Sequence, residues 1–260
     1  MREKVYAINE KLLGVYGIIG FLTLWEVAPR IGWADRQFIP PLSEILQYAW
    51  KLTVTGDIFI HMATSLQRTL IGLLAAILTA IPLGFILGGW FPKLATFLNP
   101  LLQIFGQVNA ISLFPIFIFL FGVGELAKFF MIYWSTIWPV LFTTILGVKN
   151  VDPLLIKSAR SMGAGSFKIF LAIILPGSAQ SIFAGFRMGA TTSFLMLVVA
   201  EMLSSTAGLG WLVNNSAVNN IIPRLYVGAL LIAVLGAGIN VLINYIESAV
   251  ITWKEDVRAE

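Results

Sequence analysis

The feature that most constrains the fold is a series of long stretches without a single charged side chain. Residues 69–91 read TLIGLLAAILTAIPLGFILGGWF, and comparable stretches cover residues 94–122, 129–148 and 225–246. A helix of about 20 apolar residues spans the hydrocarbon core of a bilayer and satisfies its own backbone hydrogen bonds there. Charged residues make up only 12% of the chain, about half the share found in a soluble domain. The sequence therefore predicts an all-α integral membrane protein.

Two further spans complete a predicted set of six. The first covers about residues 12–29 and is expected to be retained, because no small-residue cleavage site follows it. The fifth must extend back to about residue 180, which places Arg187 inside the membrane. A span over 169–186 is the alternative, disfavoured because Pro176 interrupts that run. Residues 1–260 are thus expected to form one membrane domain with spans at 12–29, 69–91, 98–122, 128–148, 180–203 and 225–250.

Lysine and arginine near the span ends predict the orientation. Ten lie on the side of the termini and of loop 149–179, and six lie on the other side, with Arg187 left out as intramembrane. Positive charge is enriched on the cytoplasmic side, so both termini and that loop are expected in the cytoplasm. The segment 40–62 is too polar to span and is expected to lie along the outer interface. His61, near its end, is expected to be hydrated there.

Several function classes are disfavoured by what the sequence lacks. With no cysteine and a single histidine, no disulfide and no metal site are expected. All aspartates lie outside the predicted spans and no GxSxG motif is present, which argues against an intramembrane enzyme. No GxxxxGK[ST] loop is present, so the chain is not expected to hold a nucleotide in that way. The net charge of +4 bears on membrane orientation and does not indicate nucleic-acid binding.

A charged and tightly turned segment, KSARSMGAGSFKIFLAIILP at residues 157–176, separates two of the most apolar stretches. Asp152 and Pro153 before it predict a helix start, because Asp caps free N–H groups and proline suits the first helical position. That helix is expected to end near Met162, where Gly163 can take the positive φ of a helix end.

A second helix is expected to follow, capped by Ser166, entering the membrane and interrupted by Pro176. The loop 149–179 is therefore interpreted as a helix–turn–helix on the cytoplasmic face. A short surface helix with the small residues Ser158 and Ala159 on one side can be held by a groove in another protein. Its basic residues can face lipid headgroups or the acidic rim of such a groove.

This segment resembles the EAA loop of binding-protein-dependent ABC transporter permeases of the type I importer class. The EAA pattern is Glu-Ala-Ala, three residues, Gly, nine residues, Ile, one residue, Leu-Pro, and every spacing is matched. The chain departs at the first two positions, where Lys157 and Ser158 replace Glu and Ala. The resemblance implies an ATPase-coupling role for a set of residues in the loop. They are Lys157, Ser158, Ala159, Arg160, Gly163, Ala164, Ile173, Leu175 and Pro176.

The chain also resembles the nitrate, sulfonate, taurine and bicarbonate branch of that family over most of its length. The resemblance is carried by residues 65–88, 113–153 and 200–213, the last reading AEMLSSTAGLGWLV. One departure is Asn109, where the branch often has proline. The branch implies import of a small anionic solute. A permease of the same type for a heterocyclic vitamin precursor is one alternative, and a non-ABC channel or secondary transporter is another.

The resemblance also implies a prokaryotic inner membrane as the location, and it implies the partners. Two copies of the permease, expected to be a homodimer, would form a pathway between them. Two separate ATP-binding subunits would bind ATP and Mg²⁺, so the chain itself is expected to be neither an enzyme nor a cofactor-binding protein. A periplasmic or lipid-anchored solute-binding protein would deliver the solute.

Polar side chains inside the predicted spans are candidate pathway residues. An intramembrane arginine is costly unless it meets water or a polar partner, so Arg187 could attract an anion; snorkelling to headgroups or bonding to a carbonyl is the favoured alternative. For the amides of the third span, which follow helical spacing, the favoured alternative is hydrogen bonding between helices. Glu201 could simply lie at the outer interface. The full set is Gln107, Asn109, Ser112, Arg187, Thr191, Thr192 and Glu201.

Small residues recur every four positions along the second span, at Gly72, Ala76, Ala80 and Gly84. Such a row lets a neighbouring helix approach closely. Close helix packing is therefore predicted for this face.

Overall fold

The structure is a computed structural model that describes the backbone of residues 2–251 and the side chains of residues 16–251. All regular structure in that part of the chain is helical. The helices are α1 (Arg2–Arg30), α2 (Leu42–Thr55), α3 (Asp57–Phe85), α4 (Pro92–Gln107), α5 (Ala110–Phe121), α6 (Glu125–Lys149), α7 (Pro153–Ser161), α8 (Ser166–Ile169), α9 (Leu175–Ser204), α10 (Leu209–Val218) and α11 (Ile222–Val250). Two π-helical turns, Ile86–Trp90 and Phe170–Ile174, extend α3 and join α8 to α9.

Four continuous helical segments of the described chain are long and apolar enough to cross a membrane: Asp57–Trp90, Glu125–Lys149, Ser166–Ser204 and Ile222–Val250. A fifth exists if α4 and α5, which meet at a bend of 87°, form one broken span. Six spans were predicted, and the described residues contain four such segments, or five if the bent pair is counted as one span. The predicted first span falls within α1, and the side chains of its first residues lie outside the described part.

The second spanning segment begins about twelve residues earlier than predicted. Gly56 ends α2 with a φ of 84°, and α3 then runs from Asp57 without interruption. Only α2 is a separate helix here, so the end of segment 40–62 belongs to the spanning helix. The polar residues that argued against this, including His61 and Arg68, point into the protein rather than into lipid.

The predicted third span is broken in its middle. Asn109 begins a new helix because its Oδ1 accepts a hydrogen bond of 2.9 Å from the N–H of Ile111. The N–H of the Trp134 ring on α6 donates to the carbonyl of Val108 at 3.1 Å, which satisfies a carbonyl freed at the break. Gln107 and Asn109 therefore lie on different helices, and the expected single face of helical spacing is absent.

The fifth span is continuous where an interruption was predicted, since Pro176 does not interrupt the helix. The helix runs from Ser166 to Ser204, with the π-helical turn just before the proline. There the N–H of Leu175 bonds to the carbonyl of Phe170, five residues back. Such a turn accommodates a ring that an α-helical turn would exclude. The rival span over 169–186 is part of the same helix.

Helices α3, α6 and α9 form the centre of the bundle. A Cβ built on Gly72 would lie 2.5 Å from Cγ2 of Ile132, and one on Gly84 would lie 2.5 Å from Cγ2 of Thr144. Ala76 and Ala80 between them are completely buried. The row of small residues therefore packs directly against α6, which confirms the prediction of close helix packing on this face.

Candidate functional site

The turn between α6 and α9 has the local structure that the sequence predicts at its start. Oδ1 of Asp152 accepts a hydrogen bond of 2.8 Å from the N–H of Leu154, and Pro153 occupies the first helical position. α7 follows from Pro153 to Ser161 and lies between the ends of two spanning segments, at Lys149 and Ser166. It is therefore positioned at one face of the bundle.

Gly163 ends α7 as predicted. Its φ is 79°, and the N–H of Ala164 reaches back to the carbonyl of Ala159 at 3.0 Å. This is the hydrogen bond of a left-handed helix end, for which glycine is the preferred residue. The next helix differs from the prediction, because Gly165 rather than Ser166 occupies its N-cap and no side chain caps it.

The two faces of α7 differ in chemistry. Ala159 is buried, whereas Lys157 and Ser158 are exposed. Leu154, Lys157 and Ser161 follow the spacing of one helix face, and that face is turned away from Ala159. Because the chain contains no Asp or Glu between residues 153 and 200, this face and the turn after it are basic.

The structure brings together some of the predicted coupling residues. Ala159, Gly163, Ala164 and Ile173 line one hollow of about 310 Å³ beside α7. Leu175 and Pro176 lie farther on, at the start of α9 within the spanning segment. The EAA-like residues thus form a turn joined directly to a spanning helix.

Arg187, on α9, forms an ion pair with Glu247 on α11. Glu247 is buried and the arginine side chain is about half exposed. The arginine therefore has a carboxylate partner on a neighbouring helix, which is one of the polar partners that an intramembrane arginine requires.

The other candidate pathway residues are less constrained. The hydroxyls of Thr191 and Thr192 donate to carbonyls four residues back, at 3.0 and 3.1 Å. Thr192 also lies 3.3 Å from the carbonyl of Ser135 on α6. Gln107 and Ser112 are exposed on either side of the α4–α5 break. Polar groups therefore lie near the break and along α9.

Glu201 is fully buried in the protein near the opposite end of α9. Its Oε1 accepts from Nη1 of Arg68 at 2.7 Å, and its Oε2 accepts from the N–H of Gly210 at 2.9 Å. The hydroxyl of Ser65 lies within 2.9 Å of both oxygens. A buried carboxylate is tolerated where an ion pair and additional hydrogen bonds surround it in this way.

Successive backbone groups at the start of α10 form hydrogen bonds with side chains of α3 and α9. The carbonyl of Ala207 accepts from Arg68 at 2.7 Å. The N–H of Gly208 donates to Nδ1 of His61 at 3.1 Å, and the N–H of Leu209 donates to Ser65 at 2.8 Å. His61 is buried and packs on the ring of Trp211, so the expectation of a hydrated interfacial histidine was wrong.

Arg68 also binds a second carboxylate. Its Nε and Nη2 each lie 2.7 Å from the carboxylate oxygens of Glu125, the first residue of α6. Nζ of Lys128, itself buried, lies 2.8 Å from the same carboxylate. We call Ser65, Arg68, Glu125, Lys128 and Glu201 the buried ion-pair network; its Glu201 end is fully buried, whereas the Glu125 side chain is exposed.

Sequence reasoning missed this network because Arg68 and Lys128 were counted as interface charges. A local signal was present, since His61, Ser65 and Arg68 are spaced as i, i+4 and i+7 and continue into Gly72 on the packed face of α3. Polar residues on the face that also carries a small-residue row are expected to be buried.

Among the described residues, no group of three or more His, Asp or Glu side chains could hold a metal ion. The arrangement contains an exposed basic turn at one end of α9 and a closed ionic network at the other. Such an arrangement suits the positioning and movement of helices.

The comparisons with known proteins agree with this architecture. The profile of the family described as "Binding-protein-dependent transport system inner membrane component" matches residues 80–252. The solved structure of the MetNI methionine ABC transporter, in inward-facing conformations, aligns with a TM-score of 0.60 at 15% identity, over 72% of this chain and 91% of that one. That likeness concerns the fold alone.

Three relatives extend the match over most of the chain. SsuC of Escherichia coli (strain K12), assigned as an aliphatic sulfonates transport permease, is 30% identical over 90% of this chain and 89% of its own. The taurine transport system permease TauC of the same organism is 28% identical over 91% and 88%. The nitrate import permease NrtB of Leptolyngbya laminosa is 29% identical over 80% and 77%. The chain therefore belongs to the family of binding-protein-dependent transport system inner membrane components, the permeases of ABC importers.

Proposed function

We propose that this permease imports a small oxyanion such as a sulfonate, taurine or nitrate. The support is the agreement among the three relatives, whose names specify aliphatic sulfonates, taurine and nitrate. Each of these solutes carries a compact, delocalised negative charge on oxygen. The relatives give no support to a heterocyclic vitamin precursor.

The assembly that follows is a homodimer of this chain with two ATP-binding subunits, which bind ATP and Mg²⁺, and a separate solute-binding protein. The observation that carries the proposal is the exposed turn of α7, fused through Gly163 to the helix Ser166–Ser204. Each α7 docks on an ATP-binding subunit through its outward face around Lys157. Movement of α7 upon ATP binding then displaces α9 and opens the pathway.

The pathway in this proposal runs beside α9 and the α4–α5 break. Hydroxyl and amide groups there can form hydrogen bonds with an anion that loses its hydration water. They belong to Thr191, Thr192, Gln107 and Ser112. Asn109 contributes chiefly by capping α5, and Arg187 by the positive end of its ion pair with Glu247. We assign Glu201 to the buried ion-pair network rather than to the pathway, because it has no exposed surface.

The proposed orientation places both termini and α7 in the cytoplasm. The buried ion-pair network and the loop before α10 then lie near the outer face, where the solute-binding protein docks. The support is the excess of lysine and arginine on the side of α7.

The coupling role is tested by ATP hydrolysis. The chain is reconstituted in nanodiscs with its cognate ATP-binding subunit, and Gly163→Val is compared with Gly238→Val. Neither glycine has an atom within 4 Å of the position of a new Cβ, and only Gly163 has a positive φ. We expect loss of ATPase association or stimulation in Gly163→Val alone, because a β-branched residue is strained there. Equal behaviour of the two variants would contradict the coupling role of the turn.

The solute class is tested by uptake into proteoliposomes that contain the full assembly. Nitrate, taurine and a linear alkanesulfonate are each offered with the cognate solute-binding protein, with and without ATP. We expect ATP-dependent uptake of at least one of the three. Uptake that needs no ATP, or uptake of a heterocyclic precursor only, would overturn the proposal.

A further inference from the structure

A cavity of about 380 Å³ lies where three spanning segments end. It is lined by Trp90, the last residue of one segment, by Lys149, the last residue of the next, and by Ser166, the first residue of the third. The segment Glu125–Lys149 has 25 residues and is about 37 Å long, close to the thickness of a bilayer with its headgroup regions, whereas the other two segments are longer. Lys149, and the part of the cavity that it lines, are therefore expected near the lipid headgroups.

The inner walls of the cavity are aromatic and are formed by the two π-helical turns. Phe170 of one turn packs edge-on against Phe85 at 5.0 Å between ring centroids and stacks on Trp90 of the other turn at 5.8 Å. Gly88 and Gly89 leave the space between the turns open, since they bring no side chain into it. This part of the cavity suits a hydrocarbon chain.

The rim of the cavity is cationic. Lys149, at the end of α6, and Arg160, on the flank of α7, both line it, and both are exposed. Within the described residues no carboxylate lines the cavity, and neither cation forms an ion pair. Two unpaired cations at headgroup depth form a site for a phosphate group.

We propose that this cavity binds an anionic phospholipid, with its phosphate between Lys149 and Arg160 and the start of an acyl chain along Phe85 and Phe170. Basic pockets between spanning helices recognise anionic headgroups in this way, and the volume is within the range of small-molecule sites. A free phosphate would gain nothing from the aromatic walls. An acidic protein segment would leave those walls uncovered.

A lipid in this position connects α7, which packs little on the spanning helices, to the ends of α3 and α6, which pack closely on each other. The cavity is bounded by the end of α3, the end of α6, the flank of α7 and the turn before α9. Occupancy therefore fixes the position of α7 relative to the bundle. The lipid makes the orientation of α7 dependent on the composition of the membrane.

The binding test uses the full chain alone, purified in detergent and titrated with phosphatidylglycerol or phosphatidylcholine while retained lipid is measured by native mass spectrometry. We compare wild type with Lys149→Gln/Arg160→Gln and with a matched double variant, Lys93→Gln/Lys168→Gln. The matched residues are exposed and do not line the cavity. We expect affinity for phosphatidylglycerol to fall about 25-fold in the cavity variant, about fivefold for each cation removed.

A third variant tests the cavity without changing its charge. In Gly89→Leu the new Cβ lies 3.5 Å from Val148, so the side chain fits and occupies the space. We expect it to lose phosphatidylglycerol retention while keeping both cations. Glycerol 1-phosphate and inorganic phosphate serve as soluble competitors and should not displace the lipid at millimolar concentration.

Four outcomes would overturn the proposal: equal retention of the two lipids by wild type, unchanged retention in the cavity variant, equal loss in both double variants, or displacement by the soluble phosphates. Because this binding measurement requires no ATP-binding subunit and no solute, its failure is distinguishable from failure of the proposed transport function.

Discussion

Glu201 carries a carboxylate with no exposed surface, and its stability depends on the groups around it. Arg68, Ser65 and the N–H of Gly210 together supply the hydrogen bonds that water supplies to an exposed carboxylate. Removing one partner of a buried ion pair leaves the other charge uncompensated, which costs about 3–5 kcal/mol. Single residues of this network therefore carry much of the fold's stability.

The first prediction concerns Arg68→Gln. We expect it to lower the free energy of unfolding by about 3 kcal/mol or more, since Glu201 loses its counter-ion. The matched control is Arg36→Gln, whose ion pair with Glu44 is exposed and for which we expect about 1 kcal/mol or less. Urea unfolding in detergent, followed by tryptophan fluorescence, measures both. Equal effects would show that burial of the network contributes little.

The second prediction concerns the packed face of α3. In Gly72→Ala the new methyl group meets Ile132 at 2.5 Å, so we expect a loss of about 1–3 kcal/mol. The losses caused by Gly72→Ala and by Ile132→Ala should be less than additive in the double variant, because the smaller residue removes the nearest of the crowded carbon atoms. Gly20→Ala, in α1, is the control, as no atom lies within 4 Å of its new Cβ. Thermal unfolding of the purified chain distinguishes these cases.

At the scale of single residues, the sequence predicts those features that depend on hydrogen bonds between near neighbours in the chain. Asp152 as a cap and Gly163 as a left-handed helix end follow from hydrogen-bonding needs within a few residues, and the structure has both. The burial of Glu201 depends on Ser65, which is 136 positions away. A local sequence pattern covers only neighbouring residues, so it cannot relate two positions so far apart along the chain. Only the three-dimensional packing shows that the two side chains meet.

At the scale of helices, the break between α4 and α5 shows how one residue directs a whole element. Asn109 has φ −68° and ψ 128°, and Val108 before it is extended. These are the angles that proline and the residue before it adopt. The asparagine that departs from the family's frequent proline therefore preserves the same backbone, with a side-chain cap in place of a fixed ring.

The third prediction follows from that equivalence. Asn109→Pro should keep the 87° bend, whereas Asn109→Ala, which loses the cap at a cost of about 1 kcal/mol, should broaden the angle between α4 and α5. Spin labels at cysteines replacing the exposed Phe97 and Phe119 report the distance distribution.

The controls for the break are matched in chemistry. Trp134→Phe removes the ring N–H that bonds to the carbonyl of Val108, and it should broaden the same distribution. Trp25→Phe removes an equivalent hydrogen bond to the carbonyl of Pro40, which is far along the chain from the α4–α5 break. This variant should leave the distance distribution unchanged. A broadened distribution in Asn109→Pro would contradict the equivalence.

Helix boundaries near proline are where sequence reasoning was wrong at this scale. Pro176 in an apolar run predicted an interruption, because proline removes a hydrogen bond and excludes the preceding turn. The chain avoids the conflict with one wider turn at residues 170–174 and continues as a helix. Proline requires a change in the hydrogen-bond pattern of the preceding turn. Either an interruption of the helix or a single π-helical turn provides that change.

At the scale of the molecule, the three central helices were predicted as spans, while the described residues contain four or five spanning segments against the six predicted. α3, α6 and α9 have strong apolar signals and pack on one another through small residues. The bent pair α4–α5 has the composition of a span but not its shape. Composition decides whether a segment enters the membrane, and the break at Asn109 decides how it lies there.

The fourth prediction concerns the orientation of the whole chain. Because it contains no cysteine, single cysteines can be introduced without background labelling. Trp33→Cys and Met162→Cys replace side chains that are 78% and 80% exposed, in the loop after α1 and in the turn after α7. In intact spheroplasts a membrane-impermeant maleimide should label residue 33 only, and residue 162 should react after permeabilisation. The reverse pattern would invert the proposed topology.

The helix from Ser166 to Ser204 has a mechanical consequence for the two ends that it connects. Its 39 residues form one continuous rod of about 58 Å, with the turn after α7 at one end and Glu201 near the other. A rod of this kind makes the positions of its ends interdependent, and linkage requires the dependence to be reciprocal. A partner that binds α7 more tightly in one position of the rod changes the stability of the ionic contacts at Glu201. By the same free energy, whatever stabilises those contacts changes the affinity of α7 for that partner.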